Sequence, residues 1–251
     1  MNYKPAEYWD KRLSQKFNLQ GVGYCAFNKY YNFWLYKAKT RALKNIVKKY
    51  NIGIYDKTLL DIGCGTGYWV NFYKILKCNV TGIDISKTSV VNLKRRYPKF
   101  EFINIDFALP NVSEIINKKF DIINAFDVFY HIVDDNSFQQ ALENICLLSN
   151  NSTYIFITDL FIYHSEQVAD HVKFRSFDSY EKIFNRFDIK VLTIEPLYFL
   201  LNKLIFSSLG INKFANIGIK IDEFFSPVYY FIDSVLRKVC KGNLNLLVAK
   251  K

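Results

Sequence analysis

Three glycines, each two residues from the next, follow a short apolar run that carries an acid. The segment reads LLDIGCGTGYW, and its glycines are Gly63, Gly65 and Gly67. The apolar run predicts a strand, the glycines predict a tight turn, and the residues after them predict a helix. At such a turn the bare backbone and the N–H groups of the helix N-terminus let an extended ligand lie against the chain. The segment therefore predicts an α/β fold with a ligand site at this turn.

The glycine spacing excludes two common phosphate-binding turns. The dinucleotide fingerprint G-x-G-x-x-G would require a small residue at position 68, counting from Gly63 and Gly65, but the residue there is Tyr68. A Walker A loop is excluded as well, because no G-K-[ST] follows the glycines. The spacing G-x-G-x-G therefore indicates a different ligand.

Apolar strand-like runs alternate with segments of helical period along most of the chain. Helical patterns cover residues 68–76, 87–97 and 136–148 between these runs. Strand and helix repeated in this order predict a doubly wound, mostly parallel sheet with right-handed connections. The seven predicted strands span residues 57–63, 79–86, 100–107, 120–128, 153–161, 187–195 and 243–251.

Length and composition fit one large domain, because the chain has 251 residues and 50% of them are hydrophobic. The opening residues lack the apolar region of a signal peptide, and the longest apolar stretch, 196–210, is interrupted by Asn202 and Lys203. The five cysteines are scattered, with no C-x-x-C pair and no histidine at metal-ligand spacing. We therefore expect a cytoplasmic protein without a metal site.

The net charge of +11 is concentrated at the two ends of the chain. Residues 1–58 hold 12 Lys and Arg against 3 Asp and Glu, and residues 201–251 hold 8 against 3, whereas residues 59–200 hold 14 against 17. The simplest interpretation is that the basic residues form the solvated faces of amphipathic helices. An anionic substrate, a membrane surface and a nucleic acid are the alternatives that the charge leaves open.

The glycine segment resembles the first motif of the class I S-adenosylmethionine-dependent methyltransferases. In that motif an acid stands two residues before the first of three glycines, and here the acid is Asp61. The resemblance covers about residues 56–195 plus the final strand, and it implies a Rossmann-like sheet whose last strand is antiparallel. It also implies that S-adenosyl-L-methionine is the cofactor and that Asp61, Gly63, Gly65 and Gly67 bind it.

Acids at the ends of the next two strands fit the same cofactor. Asp84 stands 21 residues after Gly63, where an acid accepts hydrogen bonds from both ribose hydroxyls. The simpler alternative is that Asp84 caps the following helix. Ile85 would pack against the adenine. By resemblance, Asp106 accepts from the adenine amino group and Phe107 covers the ring, the alternative being a solvated loop acid.

The fourth strand leads to Asp127, Tyr130 and His131, at the edge where open α/β sheets collect ligands. The resemblance implies that the loop near Asp127 passes the methionine half of the cofactor and begins the acceptor pocket, with Tyr130 as a substrate-binding candidate. A hydroxyl acceptor needs a general base, and His131 is the candidate, because an ordinary histidine pKa of about 6.5 leaves it mostly neutral at pH 7. The alternative is that His131 caps or packs against the next helix.

The segment after the fifth strand supplies the remaining candidates. Its pieces DLF and HVKFRSFDSY resemble a segment of small-molecule and glycan methyltransferases, which implies that His171, Arg175 and Tyr180 bind the substrate. Asp159 is a second candidate for the catalytic base or a helper for one. The alternative for His171 and Arg175 is a surface helix, on which residues four apart are simply neighbours.

We expect a single domain over residues 1–251. Helices in 1–55 would close over the cofactor as a lid, and 56–195 would form the cofactor-binding core. A helical insertion, 196–242, would lie on the substrate side before the last strand, 243–251. The aromatic and basic residues of the insertion also fit peripheral contact with a membrane, although the segment is too short and broken to span one.

The predicted function is transfer of a methyl group from S-adenosyl-L-methionine to a small molecule or glycan, at a hydroxyl; the acceptor could be anionic or lipid-linked. One alternative is an RNA methyltransferase that uses the basic termini, and another is a cofactor-binding protein without turnover. Enzymes that methylate base amines carry an Asn/Asp-Pro-Pro-Tyr/Phe element at the fourth strand, whereas this chain reads NAFDVFYH there. Nucleic acid is therefore the less favoured partner. The sequence does not predict an oligomeric state.

Overall fold

The computed structural model describes residues 3–202, 215–236, 239 and 242–251. Its strands are β1 (Thr58–Ile62), β2 (Asn79–Asp84), β3 (Glu101–Asn104), β4 (Phe120–Ala125), β5 (Ser149–Asp159), β6 (Glu166–Ala169), β7 (Val172–Phe174), β8 (Lys190–Pro196) and β9 (Asn245–Lys250). A seven-stranded sheet has the order β3-β2-β1-β4-β5-β9-β8. β1 pairs in parallel with β2 and β4, β2 pairs in parallel with β3, and β4 pairs in parallel with β5.

Three of the helices between the strands of the sheet lie where the helical periodicity predicts them. The described helices are α1 (Pro5–Gln15), α2 (Leu19–Val22), α3 (Lys29–Lys49), α4 (Tyr68–Ile75), α5 (Lys87–Arg96), α6 (Val112–Ile116), α7 (Asp135–Leu148), α8 (Phe177–Asn185) and α9 (Ala215–Leu236), with a 3₁₀ helix at Phe129–His131. α4, α5 and α7 match the predicted segments to within one residue. Side-chain caps begin two of them, because Ser86 caps α5 and Asp134 caps α7.

The order of the strands reverses between β1 and β4. β2 and β3 lie on one side of β1, whereas β4 and β5 lie on the other. At such a reversal the loops that follow the two central strands diverge and leave a crevice at the carboxyl ends of the strands. The glycine turn follows β1 and residues 126–131 follow β4. Both segments therefore border the crevice.

The last strand, β9, lies between β5 and β8. The N–H of Lys251, directly after β9, donates to the carbonyl of Thr153 in the first half of β5 at 3.1 Å. The end of β9 therefore lies beside the beginning of β5, and the two strands are antiparallel. The predicted fold, a doubly wound and mostly parallel Rossmann-like sheet with a final antiparallel strand, is confirmed.

Burial on both faces explains why the central strands read as continuous apolar runs. Leu59 and Leu60 are neighbours on β1, so their side chains point to opposite faces, and both are fully buried. On one face, α7 contributes Phe138, Leu142 and Ile145 to the hydrophobic core. Each such side chain contributes about 1.5–3 kcal/mol when it is removed from water. The core thus fixes β1 and β4, whose ends carry the candidate site.

The segment after β5 forms a two-stranded antiparallel hairpin, which the sequence pattern did not predict. β6 and β7 pair with a register shift between Gln167 and Ala169. Their residues are half-buried or exposed, so the hairpin has no alternating apolar pattern by which it could be recognised. His171 lies in the turn of the hairpin and Arg175 directly follows it. Neither residue lies on a helix.

The chain divides into two compact units. The first comprises Met1–Ser14, Gly53–Ile194 and Leu247–Lys251, and the second comprises Gln15–Ile52 and Glu195–Leu246. The predicted lid segment is shared between them, because α1 up to Ser14 belongs to the first unit and α2 and α3 belong to the second. Within the predicted insertion, residues 203–214, 237, 238, 240 and 241 lie outside the described residues.

No helix in the described ranges combines the length and the apolar content that crossing a bilayer requires. No group of His, Cys, Asp and Glu in the same ranges could hold a metal ion. Four cysteines of the described chain are free thiols: Cys25, Cys64, Cys78 and Cys146.

The glycine turn provides a test of the fold. Gly67 has a φ of +80°, and a Cβ there would meet Leu93 Cδ2 at 2.6 Å. We expect Gly67→Ala to lower the free energy of unfolding by about 1–3 kcal/mol, measured by denaturant titration. Gly53→Ala is the matched control, because nothing lies within 4 Å of its added Cβ, and it should be neutral or slightly stabilising. Equal stability of the two variants would contradict the turn geometry.

Candidate cofactor and acceptor site

The glycine turn after β1 places its backbone against the ends of β2 and β4. The N–H groups of Gly63 and Cys64 both donate to the carbonyl of Ile83, at 2.9 and 3.0 Å. Gly63 has a φ of +67°, and a Cβ there would meet Val128 Cγ2 at 2.5 Å. Only glycine therefore fits between β1 and the loop that follows β4.

Asp84 at the end of β2 holds this turn in place. Its Oδ2 accepts from the N–H of Gly65 at 2.7 Å, and its Oδ1 accepts from the N–H of Ser86 at 2.8 Å. Burial raises the pKa of Asp84, and the hydrogen bonds from Ser86 and Gly65 oppose the increase. The side chain that caps α5 is Ser86, whose Oγ accepts from the N–H of Ser89 at 3.3 Å. Each oxygen of Asp84 keeps a further lone pair for hydroxyl donors.

Asp61 is buried beneath the turn with one oxygen unsatisfied. Its Oδ1 accepts from Asn124 Nδ2 at 2.6 Å, whereas its Oδ2 is buried without a hydrogen-bond partner. Burial raises the pKa of Asp61 to about 7; the bond from Asn124 opposes the increase and the nearby charge of Asp84 adds to it. Asn124 also accepts from the hydroxyl of Tyr73 at 3.3 Å. A buried acceptor of this kind fits a cationic or hydrogen-bond-donating group of a ligand.

The three predicted adenine residues differ in how deeply they are buried. Asp106 is exposed, and its Oδ1 accepts from the N–H of Ala108 at 2.9 Å. Ile85 is half-buried, whereas Phe107 is buried in the hydrophobic core. Asn104 at the end of β3 donates to the carbonyls of Asp84 and Ile85, at 2.9 and 3.0 Å, and so fixes the backbone beside the predicted ribose site.

Asp127 turns the chain sharply after β4. It has a φ of +61°, which is unfavourable for a residue with a side chain. Its N–H donates to Thr158 Oγ1 at 2.8 Å, and the hydroxyl of Thr158 lies 3.2 Å from Asp127 Oδ1. Before the turn, Phe126 stacks on Trp69 of α4 with ring centroids 4.2 Å apart. The turn leads directly into the 3₁₀ helix that carries His131.

His131 has a defined proton arrangement. Its Nδ1 lies 2.7 Å from the carbonyl oxygen of His171. A carbonyl can only accept, so the neutral ring carries its proton on Nδ1 and leaves the lone pair on Nε2. Burial lowers the pKa of His131 to about 4, against the hydrogen bond to His171, which raises it. His131 is therefore neutral at pH 7, with Nε2 as a proton acceptor.

Aromatic rings from α1, the 3₁₀ helix and the hairpin turn surround His131. We call Tyr8, Trp9, Tyr130, His131 and His171 the histidine cluster. The ring of Trp9 lies 4.8 Å from that of His131, edge to face, and the rings of Tyr130 and His171 lie 4.5 and 5.7 Å away. Tyr8 packs on His171 at 4.9 Å. The structure thus brings together three predicted residues, Tyr130, His131 and His171, with two that sequence reasoning missed.

α1 reaches the cluster because Asp10 anchors it to α5. Asp10 Oδ1 accepts from the hydroxyl of Ser86 and from the N–H of Thr88, both at 2.7 Å. These bonds lower the pKa of Asp10, and its negative charge lies at the positive end of the α5 dipole. Arg12, one turn after Tyr8 and Trp9, lies over both rings, with its guanidinium carbon 5.6 and 4.8 Å from their centroids. The same helix therefore contacts both the N-terminus of α5 and the histidine cluster.

Asp159 and Tyr180, predicted as a catalytic and a substrate residue, form a buried pair. Asp159 Oδ2 accepts from the hydroxyl of Tyr180 at 2.5 Å, and its Oδ1 accepts from the N–H of Leu160 at 2.6 Å. Both side chains are fully buried. Burial raises the pKa of Asp159 to about 7, and the hydrogen bond from Tyr180 opposes the increase. The polar atoms of this pair are thus used within the protein.

Arg175, predicted to bind substrate, holds the loop between the 3₁₀ helix and α7. It is 2% exposed, and its guanidinium carbon lies 4.4 Å from the centroid of the Phe138 ring. Its Nε donates to Asp135 Oδ1 at 3.1 Å. Its Nη2 donates to the carbonyls of three consecutive residues, Ile132, Val133 and Asp134. Arg175 therefore fixes the backbone that follows His131.

Comparison with known proteins identifies the family. Residues 55–189, more than half of the chain, match the family described as "Methyltransferase domain". The chain belongs to this family and is a class I S-adenosylmethionine-dependent methyltransferase, as the glycine motif predicts. Its fold is similar to that of magnesium protoporphyrin IX methyltransferase from Synechocystis PCC 6803, with a TM-score of 0.58 and 11% identity over 98% of this chain and 94% of that one.

Two curated relatives match the chain over shorter segments. The ubiquinone biosynthesis O-methyltransferase of Actinobacillus pleuropneumoniae serotype 7 is 28% identical over 113 residues, 42% of this chain and 47% of the relative. The tRNA U34 carboxymethyltransferase of Nautilia profundicola is 37% identical over 101 residues, 36% of this chain and 30% of the relative. The match covers less than half the length of either relative.

The anchoring of α1 can be tested through Asp10. Asp10→Ala removes two hydrogen bonds and the charge at the N-terminus of α5, so we expect faster hydrogen exchange of the α1 amides and a stability loss of about 1 kcal/mol. Hydrogen exchange followed by mass spectrometry measures the first effect. Glu7→Gln is the control on the same helix, because Glu7 pairs with Lys4 at the exposed surface. Unchanged α1 exchange in Asp10→Ala would contradict the anchor.

Proposed function

We propose that this methyltransferase transfers the methyl group to a hydroxyl of a small molecule that binds at the histidine cluster. The observation that carries the proposal is the neutral His131, whose Nδ1 is held by the carbonyl of His171. A hydroxyl must lose its proton as the new bond forms, and a base fixed by a second hydrogen bond is suited to accept it. His131 follows β4, at the crevice where this fold binds its ligands.

The residues at the turn fit S-adenosyl-L-methionine. Asp84 has lone pairs for the ribose hydroxyls, and the buried Oδ2 of Asp61 needs a donor or a cation, which the amino group of the methionine half would supply. When bound, the cofactor supplies a methyl group made electrophilic by its positive sulfur. The protein then has to orient the acceptor oxygen in line with the breaking carbon–sulfur bond and exclude water.

In this proposal the acceptor oxygen forms a bond to the methyl carbon as the carbon–sulfur bond breaks, and Nε2 of His131 takes the hydroxyl proton. A pKa of about 4 makes His131 a weak base. An acidic hydroxyl, such as a phenol or enol, therefore suits it better than a simple alcohol. The rings of Trp9 and Tyr130 would pack against a flat acceptor. The match to an enzyme named for O-methylation supports a hydroxyl acceptor.

Arg175, Asp159 and Tyr180 take part indirectly in this proposal. Their buried polar groups hold the backbone on either side of the histidine cluster rather than reaching the acceptor.

One assay separates the proposal from the two alternatives that the sequence left open, which are RNA methylation and cofactor binding without turnover. Release of S-adenosylhomocysteine with phenolic and other small hydroxyl acceptors supports it, whereas turnover with RNA alone, or none with any acceptor, would contradict it.

The role of His131 is tested by His131→Phe, which keeps an aromatic ring beside Trp9 but removes the proton acceptor. With a hydroxyl acceptor, we expect kcat to fall by about 100- to 10,000-fold while cofactor affinity is retained. Steady-state formation of S-adenosylhomocysteine measures kcat, and calorimetry measures affinity. His164→Phe is the matched control, because His164 is exposed. Full turnover by His131→Phe would eliminate it as the general base.

The role of Asp61 is tested by the pH dependence of cofactor binding. In the free protein its pKa is about 7, so the carboxyl is protonated below that pH and ionised above it. If the ionised form binds the cofactor's amino group, affinity falls as the pH falls, by about tenfold from pH 8 to pH 6. Calorimetry across this range measures the change, and Asp61→Asn should remove most of the dependence. A wild-type profile identical to that of Asp61→Asn would refute this role.

A further inference from the structure

α9, in the second unit, has its polarity reversed relative to an ordinary surface helix. Its outward side chains include Phe224, Phe231 and Val235, which are 74%, 65% and 65% exposed. Three of its polar side chains, Asp222, Ser226 and Asp233, are fully buried, whereas Lys220 is exposed. The exposed apolar residues recur at helical spacing, so they form one stripe: Ile217, Phe224, Val228, Phe231 and Val235. Solvent alone does not favour such an arrangement.

The buried polar groups of α9 all have partners within the same unit. Asp222 Oδ1 accepts from the hydroxyl of Tyr229 at 3.0 Å. The two oxygens of Asp233 accept from the N–H groups of Leu200 and Leu201, at 2.7 and 3.0 Å. These bonds fix which face of α9 points inward. The apolar stripe is therefore outward because the inner face is occupied by specific polar contacts.

The helix also tolerates a proline without exposing a polar group. Pro227 cannot donate to the carbonyl of Glu223 four residues earlier. The hydroxyl of Ser226 donates to that carbonyl instead, at 2.7 Å. Pro227 therefore leaves this carbonyl with a partner within α9 itself.

The stripe continues onto α3, where a basic side chain adjoins it. The ring of Trp34 lies 6.4 Å from that of Phe231, and the ring of Phe33 lies 5.5 Å from that of Trp34. The ammonium group of Lys37 lies over the rings of Phe33 and Trp34, at 5.4 and 5.8 Å from their centroids. Aromatic rings beside a lysine head group are the side chains found at the boundary between lipid and water.

The unit that carries the stripe also carries nearly all of the chain's excess charge. Residues 15–52 and 195–246 contain 14 Lys and Arg against 4 Asp and Glu, which gives +10 of the total +11. The four acids are occupied, because Asp222 and Asp233 are buried, Glu223 accepts from the N–H of Asn28, and Glu195 pairs with Lys49. The unit is therefore complementary to a negatively charged partner.

We propose that the apolar stripe of α9, with Trp34 and Lys37, is the face by which this protein binds an anionic lipid surface. The apolar side chains would enter the boundary between headgroups and acyl chains, while the basic residues would contact the lipid phosphates. A second copy of the chain is a poorer occupant, since it would bring a unit of charge +10 against another of the same charge.

The proposal is tested by sedimentation of the full chain with vesicles of phosphatidylcholine alone and of phosphatidylcholine mixed with phosphatidylglycerol. We expect binding to the mixed vesicles only, weakening with added salt. Phe224→Ser combined with Phe231→Ser should lower the partition coefficient at least about tenfold. Lys37→Glu changes the local charge by two and should lower it about twentyfold.

The matched control is Ile75→Ser combined with Tyr163→Ser. These two residues lie in the first unit and are 72% and 88% exposed, so their substitution removes a comparable amount of apolar surface. It should bind the mixed vesicles like the wild type. Calorimetry with S-adenosylmethionine should give the same affinity for all variants, which separates this proposal from the methyl-transfer chemistry. Wild-type protein that stays in solution with mixed vesicles overturns the proposal. A Phe224/Phe231 variant that binds the mixed vesicles like the wild type also overturns it. The same holds if the only effect of the two substitutions, measured by light scattering, is the loss of self-association.

Discussion

The bond between the carboxylate of Asp84 and the N–H of Gly65 is the contact on which the rest of the site depends. It ties the end of β2 to the glycine turn, while the other oxygen of Asp84 positions Ser86 at the start of α5. Ser86 in turn donates to Asp10, which anchors α1. α1 then presents Tyr8 and Trp9 to the two histidines. A short series of hydrogen bonds therefore connects the proposed cofactor side with α1, which contributes to the proposed acceptor side.

The sheet, its helices and the glycine turn could be predicted because each depends on a local pattern. Strands buried on both faces read as apolar runs, and the turn requires glycine where φ is positive. Trp9 could not be predicted in this way, because its contact with His131 joins residues far apart in the sequence and leaves no periodic trace. Asn124 was detectable in principle, as a polar residue within an apolar strand, since such a residue needs a partner when buried.

Arg175 illustrates a different limit of sequence reasoning. The resemblance of its segment to that of small-molecule and glycan methyltransferases implies substrate contact, and an arginine in a polar segment usually lies at the surface or binds a ligand. The structure instead uses its fork of donors to satisfy successive carbonyls of one loop. Asp233 acts in a similar way, because its two oxygens accept from the backbone N–H groups of Leu200 and Leu201. In both cases the charge serves backbone groups of residues that lie outside the strands and helices.

The two hydrogen bonds from the start of α5 to α1 end on a single atom. The bonds from Ser86 and Thr88 both reach Oδ1 of Asp10, so the orientation of one carboxylate determines both. α1 carries the rings of Tyr8 and Trp9 that pack beside the two histidines. A carboxylate that is not itself part of the histidine cluster thus helps to set the position of the wall beside His131.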